Sequence, residues 1–255
     1  MWNIIEFDKI TSTNEIAGEM LARKEARHGD VLQAKHQTAG KGRGAGRVWN
    51  DEPGASLLMS IILEQIPEPA NLLQYRSALA ILSALRSIAE QTGNSPKDII
   101  LKWPNDILIR GKKVCGILLE AQWNGSAIRS AVIGIGMNIK QKSFPDDLSA
   151  IATSLAQCGM NIEVNDVRER ILECIELEFY STNSNGPAQS IILDRLRTEL
   201  VWMSDVTSLR LTNVDGSVRP DLDFAGVDDS GALLLRKSDG SIMAAHSGSL
   251  SWDSE

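Results

Sequence analysis

Between residues 34 and 47 the sequence gathers Lys35, Lys41, Arg43 and Arg47 without a single carboxylate, and places glycines at the alternate positions 40, 42, 44 and 46. Glycines let backbone N–H groups approach phosphate oxygens closely, and the cations add charge-assisted hydrogen bonds that strengthen as negative charge develops. The segment therefore reads as an anion site. A glycine-rich stretch in isolation is most simply a solvated linker. Strand-like runs at 31–34 and 57–63 flank this one, however, which makes it a loop that can order over a ligand and exclude water.

Three further segments carry polar residues that packing alone does not explain. Ser12-Thr13-Asn14 precedes a helix, and Ser12-x-x-Glu15 has the form of a capping box. A helix N-terminus can cap itself and still present donors to a polar ligand. Lys102-Trp103-Pro104-Asn105-Asp106 is adequate as a strand end with a turn, but a turn gives no reason for Lys113 at the start of a strongly apolar strand. Gly134-Ile135-Gly136-Met137-Asn138 lacks the third glycine and following helix of a dinucleotide fingerprint, so its glycines are read as keeping a strand close to a ligand.

The elements that must position these groups follow from periodicity. Short strands are expected at 4–7, 31–34 and 57–63, a helix from Ser12, and an amphipathic helix over 72–89. Consecutive strands follow at 99–103, 107–109, 114–120 and 127–139, then helices around 167–179 and 191–200. This is α+β, a mixed β-sheet flanked by helices. After Trp202 short alternating runs separated by Asp215-Gly216, Ser230-Gly231 and Asp239-Gly240 indicate a small β-barrel. The division expected is a catalytic domain over 1–202 and a C-terminal β domain over 203–255.

Composition narrows the field. A net charge of −7 and 43% hydrophobic residues describe an ordinary globular chain, not one surfaced for nucleic acid. No apolar run approaches the roughly 20 residues of a membrane span, and residues 1–6 lack the layout of a signal peptide. Neither a membrane association nor export is expected, and the address is taken as cytoplasmic. Cys115, Cys158 and Cys174 lie too far apart for a zinc or disulfide motif and read as small apolar residues. His28, His36 and His246 show no metal spacing, so no protein-borne metal site is expected.

Taken in order, Ser12-Thr13-Asn14, the stretch from Gln37-Thr38-Ala39-Gly40-Lys41 through Arg43, Arg47, Val48 and Trp49, Lys102-Trp103-Pro104-Asn105-Asp106 with Gly111 to Glu120, and Gly134 to Ile139 resemble the biotin protein ligase family. The closing Ser247-Gly248 matches as well. The resemblance implies a class II synthetase-like catalytic domain, a small SH3-like C-terminal barrel, and the activation of biotin by ATP to biotinyl-5'-AMP. The biotinyl group would then pass to a lysine of a biotin carboxyl carrier protein or domain. Joining a carboxylate to an amine needs a good leaving group, which AMP provides. An amine of pKa about 10.4 must also lose a proton before it attacks.

By the same resemblance Ser12, Thr13, Asn14, Gln37, Gly40, Lys41, Gly42, Arg43, Lys113, Gly116, Gly134 and Gly136 would hold biotin. Arg43, Arg47, Trp49, Asn105, Lys113 and Asn138 would hold ATP. Lys113 and Arg43 would stabilise the adenylate, and Asp106 would orient or deprotonate the incoming amine. Lys112 is set aside as a decoy. Mg2+ would accompany ATP, and a homodimer is an expectation of the same origin. Two features depart from the family pattern: Lys41 stands at a position many relatives give to arginine, and Gly44-Ala45 adds a residue before Gly46. A lysine cannot reproduce a bidentate arginine, so retention of the adenylate is expected to suffer before activity does. Some relatives carry an N-terminal DNA-binding module. Here the first strand begins at Ile4, so a form without that module and without DNA binding is expected. The alternatives left open are a lipoate or octanoate ligase of the same fold and a non-catalytic sensor of biotin or a nucleotide.

Overall fold

The structure is a computed structural model that describes residues 2–44, 46–125, 127–180 and 189–252. Ala45, the additional loop residue, lies outside the described residues.

Seven strands form one mixed sheet: β1 (Asn3–Phe7), β2 (Asp30–Ala34), β3 (Ser56–Leu63), β4 (Ile99–Lys102), β5 (Asp106–Ile109), β6 (Lys112–Asn124) and β7 (Ala127–Asn138). Their order is β1-β2-β3-β7-β6-β5-β4, with β1 and β2 parallel and every other pair antiparallel. Helix α1 (Thr13–Ala22) lies on one face, where Ala17 packs on Leu32, Ile62 and Val132. The opposite face carries α2 (Leu73–Gln91) and α4 (Val164–Tyr180), with Val31, Ile61 and Ile133 among the residues packed beneath them. The shift by one residue from Leu32 to Val31 and from Ile62 to Ile61 is the alternation of side chains along a strand. It also explains why β3 is buried along its whole length. Each fully buried Leu or Ile contributes roughly 1.5–3 kcal/mol, so α2, whose buried residues include Leu79, Leu82, Leu85 and Ile88, is a principal anchor of the sheet.

A four-residue helix α3 (Asp146–Ser149) precedes α4, and α5 (Gln189–Leu200) leads into the second sheet. That sheet is antiparallel, in the order β11-β10-β9-β8-β12, built from β8 (Leu209–Thr212), β9 (Val218–Val227), β10 (Leu233–Arg236), β11 (Ile242–Ala245) and β12 (Ser249–Ser251). Its topology is that of a small barrel-like module. Asp215, Asp228 and Asp239 each accept the backbone N–H of the serine two residues on, a local turn that ends one strand and starts the next. Strand β12, which periodicity did not separate from the preceding run, is too short to show an alternation.

The core is continuous from the large sheet into the small one, through Leu200, Met203, Leu209, Leu222 and Leu233. At the junction Gly231, with φ +86°, sits so close to Tyr75 that a Cβ there would lie 2.3 Å from the ring. The Trp202 indole donates to the Leu101 carbonyl at 3.0 Å. The small sheet therefore packs beside the end of β4.

Candidate active site

The site lies on the α1 face, beyond the N-terminus of that helix. Register sets its floor. Ser60 on β3 is opposite Gly134 on β7, which is opposite Leu118 on β6, and one step along Gly136 faces Gly116. Where Ala17 covers Ile62 and Val132, the next residues on the same face are Ser60 and Gly134, and over them lies Asn14.

The polar end of the pocket is fixed by hydrogen bonds across the fold. The Gln37 Oε1 accepts the Thr13 backbone N–H at 2.6 Å, so the helix is capped from the end of β2. The expected capping box does not form: Ser12 has the extended backbone of an N-cap residue but makes no side-chain cap. Glu15, which the box would have used, reaches Lys41 at 3.3 Å instead. Both the Ser12 hydroxyl and the Gln37 amide nitrogen are left for something other than the helix. The Ser60 hydroxyl lies 2.6 Å from Asn14 Oδ1 and 2.7 Å from Thr13 Oγ1, and Asn14 Nδ2 donates to Glu120 at 2.7 Å. Asn14 is thus locked, with its oxygen towards Ser60 and its nitrogen towards Glu120.

The glycine-rich segment is a hairpin-like loop closed by Gly42 N–H to Arg47 carbonyl and Trp49 N–H to Gly40 carbonyl bonds. Gly40 must be glycine for packing reasons, because a Cβ there would lie 2.8 Å from the Trp49 carbonyl. The loop lays the Trp49 ring across the floor: a Cβ on Gly136 would stand 2.7 Å from it, and one on Gly116 3.2 Å. Beneath the indole N–H there is no acceptor among the described residues. Lys113 Nζ is 5.7 Å from the ring centroid and forms an ion pair with Asp106 at 2.7 Å. Arg43 donates to the Gly248 carbonyl of the small sheet at 2.7 Å. Burial lowers the Arg43 pKa, with Tyr75 and Asp106 opposing and Arg47 adding to the effect; a guanidinium stays charged regardless.

A partly open space of about 50 Å³ remains, walled by Ser12, Thr13, Asn14, Gln37, Lys41, Gly42, Arg43, Trp49, Asn105, Lys113, Gly116, Gly134 and Gly136, with Met59, Ile117, Leu118 and Ile135 supplying apolar surface. A second cleft of about 330 Å³ lies on the far side of the loop, between His36, Gly40, Val48 and Asp51, and shares Gln37 and Trp49 with the first. Pockets for drug-sized ligands usually span about 300–1,000 Å³, so the first space alone is small for such a ligand.

Four of the residues singled out from sequence are not on this wall. Gly40 faces the second cleft. Arg47 is exposed on the outer limb of the loop, and Asp106 reaches the site through Lys113. Asn138 is buried, donating to the Thr153 carbonyl and accepting from Gln141. Lys112 points away and donates to the Ser149 carbonyl. Ser60 and Glu120 were not singled out. The signal for Ser60 was a lone hydroxyl inside the apolar run Leu57-Leu58-Met59-Ser60-Ile61-Ile62-Leu63, whereas nothing local marks Glu120.

The sequence profile of the biotin/lipoate A/B protein ligase family matches residues 5–138. The bifunctional ligase/repressor BirA of Bacillus subtilis (strain 168) is 37% identical over 250 residues, which cover 93% of this chain and 70% of that protein. The biotin–[acetyl-CoA-carboxylase] ligase of Mycobacterium tuberculosis is 31% identical, with 87% and 84% covered. In fold, the chain is similar over its full length to the biotin protein ligase from Aquifex aeolicus in complex with biotin and ATP, with a TM-score of 0.75 at 23% identity and all of both chains covered.

Proposed function

The chain belongs to the biotin/lipoate A/B protein ligase family, and from that premise we propose that it activates biotin with ATP and transfers the biotinyl group to a lysine of a biotin carboxyl carrier protein. A carboxylate oxygen of biotin attacks the α-phosphorus, the α–β phosphoanhydride bond breaks, and diphosphate leaves. The carrier amine then attacks the acyl carbon, AMP departs with the electrons of the acyl–oxygen bond, and the nitrogen gives up a proton. Similarity to a biotin–[acetyl-CoA-carboxylase] ligase supports a carboxylase carrier as the acceptor.

The observation that carries the reading is the pairing, in one pocket, of a buried polar end with a cationic end. Ser12 and the Gln37 amide offer hydrogen bonds to a ureido ring, while Lys113 and Arg43 face the position of the carboxylate and α-phosphate. Those cations would stabilise charge that grows in the transition state. A dithiolane or alkyl acid would leave the buried polar groups at the other end unpaired, which costs affinity, so biotin is favoured over lipoate and octanoate. Asp106, already joined to Lys113, would hold that ammonium in place and lie near the incoming amine. Trp49 would leave the floor and cover the nucleotide. Lys41 would act as a point charge, beside Glu15. Asn105, whose amide donates to the Ile117 carbonyl at 2.8 Å, would brace β6 at the nucleotide side. The boundary we propose lies at residue 202, with 203–255 serving as the module that completes the ATP side.

Among the described residues no three His, Cys, Asp or Glu side chains group into a metal site. Mg2+ would enter on the phosphates of the nucleotide, as that ion commonly does. None of the described helices is long and apolar enough to cross a membrane.

The test is exchange of labelled diphosphate into ATP with biotin, lipoate or octanoate as the acid. Exchange with biotin alone, lost in Lys113→Ala and kept in Lys112→Ala, is expected. Exchange with lipoate alone would move the chain to the other branch of the family, and none with any acid would leave a sensor.

A further inference from the structure

Ser60 and Glu120 do not wall the acid pocket, yet the hydrogen bonds they make fix what its walls can offer. Ser60 Oγ lies 2.6 Å from Asn14 Oδ1 and 2.7 Å from Thr13 Oγ1. Two oxygens that close share a proton. The three atoms hold only two protons, because an amide oxygen carries none and each hydroxyl carries one. Ser60 must therefore donate to Asn14, and Thr13 must donate to Ser60. This direction holds while the Asn14 amide keeps its oxygen on the Ser60 side. Its nitrogen is held on the other side by two acceptors, the Glu120 carboxylate at 2.7 Å and the Leu118 carbonyl at 3.4 Å. A turned amide would set its oxygen against both.

The protons of the Thr13 hydroxyl and the Asn14 amide are thus committed away from the pocket. Each side chain has only lone pairs to give a ligand. Thr13, Asn14 and Ser60 are all buried, so bulk water does not compete for these bonds. Gly134 admits the Asn14 oxygen to the floor, since a Cβ there would lie 2.1 Å from it. The other polar groups at this end have the opposite character. Gln37 spends its Oε1 on the Thr13 backbone N–H, which leaves its amide nitrogen as a donor, and the Ser12 hydroxyl makes no side-chain cap. Two acceptors beside two donors are the complement of a cyclic urea, which has two N–H groups and one carbonyl oxygen with two lone pairs.

We propose that Ser60 and Glu120 are specificity-determining positioning residues: by holding Thr13 and Asn14 as acceptors only, they make the polar end select a ring with two N–H groups and refuse one with oxygen in place of either. The assignment rests on the ligase reading of the same site. The test is calorimetric titration with biotin and with the two cyclic carbamates in which one or the other ring N–H of biotin is replaced by oxygen. Wild-type protein should bind either carbamate at least about a hundredfold more weakly than biotin, because a hydrogen bond is lost and oxygen faces oxygen. Ser60→Ala releases the Thr13 proton, so the carbamate with its oxygen at Thr13 should regain roughly tenfold relative to biotin while its isomer does not. Glu120→Ala lets the Asn14 amide turn and should bring that isomer a similar gain. Glu120→Gln, whose amide oxygen still accepts from Asn14, should keep the wild-type ratios. A carbamate bound by wild-type protein as tightly as biotin would overturn the proposal. So would variants that weaken biotin and both carbamates equally, which is the mark of a merely structural role. Should Ser60→Ala not fold, Glu120→Ala on the exposed part of β6 decides: unchanged ratios there overturn the proposal. If wild-type protein binds neither biotin nor a carbamate, the ligase reading falls instead.

Discussion

Replacing Gly134 by alanine tests the geometry of the acid pocket most directly. The new Cβ would lie 2.1 Å from Asn14 Oδ1 and 2.8 Å from its Cγ, so one of them must move by about 1 Å in an interior where overpacking costs about 1–3 kcal/mol. Asn14 cannot turn aside freely. It would give up the Ser60 hydroxyl at 2.6 Å and the Glu120 carboxylate at 2.7 Å, and a hydrogen bond to a charged group is worth about 1.5–3 kcal/mol. If about 2–4 kcal/mol falls on the pocket, biotin should bind roughly 30- to 700-fold more weakly. The KM for ATP should change little, because Asn14 is at the other end. Calorimetric titration with biotin and the two KM values from diphosphate exchange give the comparison. Gly18→Ala is the control: no atom lies within 4 Å of a Cβ there, and in the middle of α1 it should stabilise the fold by about 0.5–1 kcal/mol. A Gly134→Ala protein with wild-type biotin affinity would refute the placement of Asn14 over the floor.

Ser12→Ala should barely change thermal stability, since the cap is made by Gln37 and removal of a working Ser cap would cost about 0.5–2 kcal/mol. It should nevertheless raise the KM for biotin, and a melting temperature that falls with no change in KM would return Ser12 to a capping role.

The described elements were largely legible because each depends on local order. Helix α2 was readable from the 3.6-residue spacing of its leucines, and β5, β6 and β7 from apolar runs bounded by Gly and Asn-Asp turns. The exceptions are instructive. Strand β12 has three residues and exists through its pairing with β8, and the capping box does not form: Glu15 reaches Lys41, while Gln37, beyond the end of β2, accepts the Thr13 N–H. Lys113 was separable from Lys112 in advance by resemblance alone; in the fold a β-bulge in the β5–β6 pairing, between Ile107 and Leu108, accompanies the turn of the two lysines to different surroundings.

What the sequence by itself determined was an inventory: a cationic glycine loop between strands, a polar triplet at a helix start, a lysine ahead of an apolar strand and glycines in the last long strand. Only the tertiary structure decided which of these meet. Asn14 finds Glu120 106 residues away and Ser60 46 residues away, and Arg43 finds Gly248 across 205. Such contacts depend on strand register and on which face of the sheet a residue presents, and a slip of one residue would exchange every face. Local propensity sets the period of a strand but not its partner, so the site became visible when the partners did.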